Sequence, residues 1–150
     1  MLQTIAYVMV VGVASATAVP KVLASINASR LDFDAETLAA DVRHAQALAR
    51  GWGRALVLDT APSSYSVTCA TRTDGPCTSA AQPVLDPARA GSFSAALPSG
   101  VTLSSSLPGS AKLSFDASGR PSAAVTYTLS ATGATRRVLV SAETGRVTLQ

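Results

Sequence analysis

Residues 1–20, MLQTIAYVMVVGVASATAVP, carry no charged side chain, and residues 31–52, LDFDAETLAADVRHAQALARGW, repeat an apolar residue every three or four positions. These two stretches decide the fold. A helix of 20 residues spans about 30 Å, the thickness of a bilayer's hydrocarbon core. The first charge, Lys21, follows Pro20 directly. No basic n-region precedes the run and no small-residue cleavage motif follows it, so it reads as a retained membrane helix and not as a cleaved secretory signal. Ser15, Thr17 and the Ala/Gly content make it only moderately apolar. That suits a helix held by other proteins as much as by lipid.

Beyond Pro20 the helical period resumes. Leu31, Ala35, Leu38, Val42, Ala45, Ala49 and Trp52 fall on one face, with Asp34, Asp41, Arg43 and Gln46 mostly on others. Acid from Asp32 to Glu36 opens this half, and Arg50 before Gly51 closes it, as the macrodipole and a glycine stop favour. Pro20 should kink or loosen the helix without ending it. The expectation is one rod over residues 2–51. Its first part, residues 1–28, forms the anchor, and residues 29–150 form a globular domain that includes the amphipathic half-helix.

From Arg54 the period changes to two. Strands are expected at 55–59, 65–69, 101–105, 112–116, 125–130, 137–141 and 146–149. Turn signals at 117–119, 131–133 and 143–145 make the last of these read as consecutive antiparallel hairpins. Residues 70–98, rich in Pro, Ala and Ser, read as a long excursion. The sheet's apolar face needs a cover, and the 31–52 stripe is the available one. The fold class is therefore α+β, a long N-terminal helix packed on an antiparallel sheet or sandwich.

Both cysteines, Cys69 and Cys77, lie in CATRTDGPC, where Asp74, Gly75 and Pro76 supply turn chemistry. A local disulfide pinning this loop in an oxidising compartment is the natural reading. Two sulfurs with no nearby histidine offer too few ligands for a metal. Residues 21–53 balance four basic against four acidic groups, so the net charge of +3 resides in the distal part. The one histidine, His44, sits on the amphipathic helix, and no serine stands in a nucleophile elbow. Asp32, Asp34 and Glu36 read as the acidic start of a helical segment. No glycine-rich phosphate loop occurs. These residues imply neither an enzyme nor a cofactor.

The stretch VVGVASATAVP resembles the type IV pilin anchor, with Gly12 eight residues before Pro20. DVRHAQALARGWGRALVL resembles the helix-to-first-strand segment of the H-type minor pseudopilins of type II secretion and the related FimT minor pilins. LSFDASGRP and RRVLVSAETGRVTL resemble that group's closing hairpins, with Phe115, Gly119, Arg120, Gly145 and Arg146 at matching places. Residues 60–110 carry no such likeness. The resemblance implies a pilin-like subunit assembling through Gln3, Ile5, Val8, Val11, Gly12 and Pro20. Gln3 stands where the family carries a glutamate that neutralises a neighbour's N-terminal amine; glutamine cannot cancel that charge, which favours a place at or near a filament tip. Counted back from Pro20, the family's mature start lies two residues upstream of Met1, implying a leader there and a prepilin peptidase as partner.

The other implied partners are sibling pilin or pseudopilin subunits and the bacterial inner membrane, with the β-domain in the periplasm or beyond. Some FimT relatives place two arginines of a Gly-Arg-x-Arg motif on DNA phosphates. Here Gly145-Arg146-Val147-Thr148 keeps the first arginine only, and Arg120, Arg136, Arg137 and Arg146 are the candidate DNA contacts. The different-class readings are a membrane-tethered ligand-binding β-domain and a main shaft subunit.

Overall fold

A computed structural model describes the backbone of residues 2–71, 76–86 and 91–150, with side chains from residue 26 onward in that set. Helix α1, Leu2–Trp52, runs through Pro20 without interruption. At 1.5 Å per residue it is about 75 Å long. It ends one turn signal later than expected. Gly53, with φ +61°, takes the left-handed position. The Gly53 N–H donates to the Arg50 carbonyl at 3.2 Å and the Arg54 N–H to the Ala49 carbonyl at 3.0 Å. This is a Schellman cap, so Gly53 and not Gly51 stops the helix.

Among the described residues ten strands follow: β1 Leu56–Ala61, β2 Ser64–Cys69, β3 Leu85–Asp86, β4 Gly91–Ser92, β5 Ser94–Ala96, β6 Thr102–Ser105, β7 Leu113–Phe115, β8 Val125–Ala131, β9 Ala134–Val140 and β10 Val147–Leu149. They form a four-stranded sheet of order β5-β2-β1-β7, a second of order β10-β9-β8-β6, and the small β3-β4 pair. All named pairings are antiparallel. Strand β8 shows why these segments are strands: Val125, Tyr127 and Leu129 point inward while Thr126 and Thr128 alternate with them.

Two expectations need correction. The turn at 117–119 does not join a β7–β8 hairpin, because β7 pairs with β1 and β8 with β9 and β6. Beyond the turn the pairing is short: Phe115 bridges Pro121, the Asp116 N–H donates to the Arg120 carbonyl and the Ser122 N–H to the Ser114 carbonyl. After Ser122 the chain crosses to the second sheet, where β8 begins at Val125. The 70–98 excursion also holds structure of its own. Val84 donates to Val67 and Phe93 to Val84, at 3.0 and 2.6 Å, stitching the segment to β2. The Cys69–Cys77 disulfide, with Cα atoms 5.7 Å apart, ties its start to the same strand.

One core joins all three layers. Leu31, Ala35, Leu38, Val42, Ala45 and Ala49 of α1 are buried, as the stripe predicts, and Trp52 packs half-buried at its end. They meet Leu56, Leu58, Tyr65, Val67, Leu113 and Phe115 of the first sheet and Val125, Tyr127, Leu129, Val138 and Val140 of the second. Asp41 and Gln46, placed by the spacing mostly on other faces, are buried as well.

Candidate subunit interface

Polar groups of α1, of which Asp41 and Gln46 are buried, fix how it lies on the sheets. The Gln46 side-chain amide donates to the Gly145 carbonyl at 2.8 Å, and Arg43 donates to the Val147 carbonyl at 3.0 Å. The Tyr65 hydroxyl donates to Asp41 at 2.6 Å. Arg136 grips Asp32 with both arms of its guanidinium; the Nη2–Oδ2 contact is 3.2 Å. His44 Nε2 lies 3.3 Å from Asp86, and its ring tilts on Phe93 at 5.4 Å between centroids. The helix thus touches both sheets and the excursion through polar contacts as well as the apolar stripe.

The turn Asp116–Arg120 packs beneath the helix end. Asp116 accepts from the Ser118 N–H and hydroxyl and from the Arg120 N–H, at 2.9, 2.6 and 2.8 Å. The Ser118 hydroxyl, then the Arg120 N–H, hold the Asp116 carboxyl below its ordinary range. Gly119, at φ +76°, sits so close to Gln46 and Arg50 that a side chain there would collide with them. Sequence reading found the glycines at 119 and 145 by resemblance. Their contacts with α1 give the physical reason.

A different face of α1 is left open. Phe33 is 69% exposed and Ile26 42% exposed. With Ser29, Arg30, Asp34 and Pro98 they line a mostly apolar groove of about 640 Å³. One Asp34 carboxylate oxygen is buried there without a hydrogen-bond partner. Desolvation raises that carboxyl's pKa. The sequence reading missed both residues: Phe33 offered a signal, an apolar residue off the stripe, whereas nothing in the spacing distinguished Asp34 from the solvated acids around it.

The expected assembly residues Gln3, Ile5, Val8, Val11, Gly12 and Pro20 have side chains outside the described set. Among the described residues no helix is long and apolar enough to cross a membrane. The candidate DNA-contact arginines lie on two elements: Arg136 and Arg137 on β9, and Arg120 and Arg146 on turns that adjoin, Gly145 lying against Gly119 and Pro121. Arg136 faces α1 and is held by Asp32. Arg137 alternates to the outer face of β9, and Arg120 sits in the Asp116 turn. Arg146 rims a groove on the outer face with Thr126, Leu139 and Thr148. It lies opposite Ser141, four residues and about 13 Å along the strand from Arg137.

A long N-terminal helix laid over antiparallel sheets is the pilin-like α+β architecture. The structure of the minor pseudopilin EpsH from the type 2 secretion system of Vibrio cholerae is similar, with TM-score 0.64 and 16% identity over 81% of this chain and 96% of that one. The type IV minor pilin FimU of Pseudomonas aeruginosa is similar with TM-score 0.56 and 19% identity, over 81% and 89%. At these identities the likeness is one of fold. Among curated proteins none matches. The family model for the type II transport protein GspH matches residues 34–145, and the chain belongs to that family.

Proposed function

We propose that this chain is a non-catalytic minor subunit of a type II secretion pseudopilus or a type IV pilus. It is held in the bacterial inner membrane by the first part of α1 until assembly draws it into a filament. The observation that carries this reading is the division of α1. The helix has 51 residues, yet its described contribution to the core begins at Leu31. Residues 26–30, the described residues just ahead of it, are exposed or half-buried, and about 40 Å of unbroken helix backbone precedes Leu31. That half, uncharged from residue 1 to residue 20, exchanges lipid for the helices of other subunits. The head is displayed outward, and its Cys69–Cys77 disulfide suits the oxidising periplasm.

The test is isolation of the full protein from its host. Mapping its N-terminus is expected to show cleavage upstream of Met1 and a methylated first residue, and other pilin-like subunits are expected to co-purify with it. A water-soluble monomer without pilin-like companions would refute the reading.

A further inference from the structure

We propose that the groove between α1 and the Pro98 loop docks the N-terminal helix of a different pilin-type subunit, one presenting a lysine or arginine within an apolar stretch, and that Asp34 receives that cation. The proposal deepens the function proposed above and rests on it.

Three observations point there. Phe33 and Ile26 are seven residues apart, two turns on one helix face, and both are exposed. Large apolar side chains side by side on a surface, backed by Pro98, mark a contact site more often than scattered ones do. Secondly, Asp34 is the exception among its neighbours. Asp32 is paired with Arg136 and Asp41 accepts from Tyr65, but one Asp34 oxygen is shut away from water with nothing donating to it. Arg30, one turn earlier on the same groove, forms no ion pair with it. A desolvated carboxylate without a partner is costly, and a cation delivered into the groove would relieve that cost.

Thirdly, the groove lies on α1 itself, where the buried stripe that starts at Leu31 gives way to the first half of the helix. A second helix lying alongside that half, at the usual 8–10 Å between axes, would run on into the groove without changing direction. Segments of the required chemistry belong to helices of this kind. This chain's own version is Val19-Pro20-Lys21-Val22-Leu23, a single cation closing an uncharged run. A helix fits the charge and the shape together, whereas an acidic or purely polar partner would leave Asp34 unrelieved.

The test uses the full chain in its host, with p-benzoylphenylalanine in place of Phe33. Irradiation of cells is expected to cross-link it to the N-terminal helix of a different pilin-type subunit, within a few residues of a lysine or arginine. Asp34→Asn in the same background lowers the cross-link yield about tenfold, equivalent to about 1.4 kcal/mol, while Asp34→Glu retains most of it. Asp34→Asn should leave the thermal midpoint of the purified protein unchanged or raised, a result that a merely structural carboxylate would not give. Co-purification with pilin-like subunits but no cross-link from position 33 would overturn the docking proposal alone. So would a cross-link to a β-domain or to a second copy of this chain, or a yield indifferent to Asp34→Asn. Failure to co-purify at all would overturn the filament reading, and the docking proposal with it.

Discussion

Gly119→Ala should be among the most damaging small substitutions in this protein, and its cost can be worked from two separate sources. A Cβ at 119 would lie 2.6 Å from Arg50 Nε, 2.7 Å from the Gln46 carbonyl oxygen and 3.0 Å from Arg50 Cγ. Arg50 is exposed and can swing aside. The Gln46 oxygen cannot, because it belongs to the helix backbone, and the Gln46 side chain is itself tied to Gly145. Relief must therefore come from moving the turn or the helix end, an overpacking cost of about 1–3 kcal/mol. The φ of +76° adds about 1–2 kcal/mol of left-handed strain for any L side chain. The total is about 2–5 kcal/mol, which for a chain of this size lowers Tm by about 5–15 °C.

Gly133→Ala is the control. Its φ is +79°, yet nothing lies within 4 Å of the added Cβ, so it incurs the strain alone. Thermal unfolding of the full chain, followed by circular dichroism under identical solvent conditions, compares the two. Gly119→Ala should fall below Gly133→Ala by about 1–3 kcal/mol, the clash in isolation. Adding Arg50→Ala should restore only a minor part of that gap, because the backbone contact remains. If the two alanine variants unfold together, the seating of the Asp116–Arg120 turn beneath α1 is wrong.

Four other outcomes are expected. Tyr127→Phe should leave Tm unchanged or raise it, since the hydroxyl is buried with no hydrogen-bond partner and burial pushes its pKa up; a loss above about 1 kcal/mol would reveal a partner. Replacing Cys69 and Cys77 by serine should cost about 2.5 kcal/mol through loop closure over a separation of 8 residues, read as a lower urea midpoint. Arg136→Ala should lower Tm more than Arg137→Ala does, and the gap should narrow towards about 1 M salt, because the Asp32–Arg136 pair is half-exposed. Asp34 has a folded pKa above the ordinary 3.8, so the folded state binds its proton more readily; unfolding free energy should fall slightly as pH rises through that interval, and Asp34→Asn should abolish the fall.

The helix and its inward face were legible because a 3.6-residue period over 20 positions is a redundant signal. Leu31, Leu38 and Val42 each repeat the same information, and all are buried. The strands near the C-terminus were legible for the same reason, through alternation bounded by glycine turns. Pairing was not. Whether Leu113–Phe115 joins β8 or β1 depends on partners more than 50 residues away, and the turn at 117–119 looks locally like any hairpin. The polar contacts were hidden for a related reason. Asp41 and Gln46 fit a solvated helix face until a Tyr65 hydroxyl and a Gly145 carbonyl arrive opposite them. In the candidate interface, Phe33 was missed although it is a large apolar residue off the stripe, and the isolation of Asp34 is a property of three-dimensional surroundings alone.

Among the described residues, the Tyr127 hydroxyl and one Asp34 oxygen lack hydrogen-bond partners in opposite circumstances, and the contrast bears on function. The Tyr127 hydroxyl is enclosed: the residue is 1% exposed, with core on every side, so no outside group can reach it. Its unmet hydrogen bond is a fixed cost of placing a large aromatic ring between helix and sheet. Asp34 has the same local fault at the edge of an open groove, beside a phenylalanine that no monomer needs on its surface. There the cost is recoverable by association. Inconsistencies that a fold could remove by simple substitution, and that adjoin one another at an accessible place, are where a sequence serves something besides its own stability. Asp34 could be asparagine and Phe33 a polar residue without touching the core built by Leu31, Ala35 and Leu38. That both stand as they do, beside the start of the buried stripe of α1, is the reason to look for the second helix there and not on the hydroxyl-rich outer face of the β8–β10 sheet.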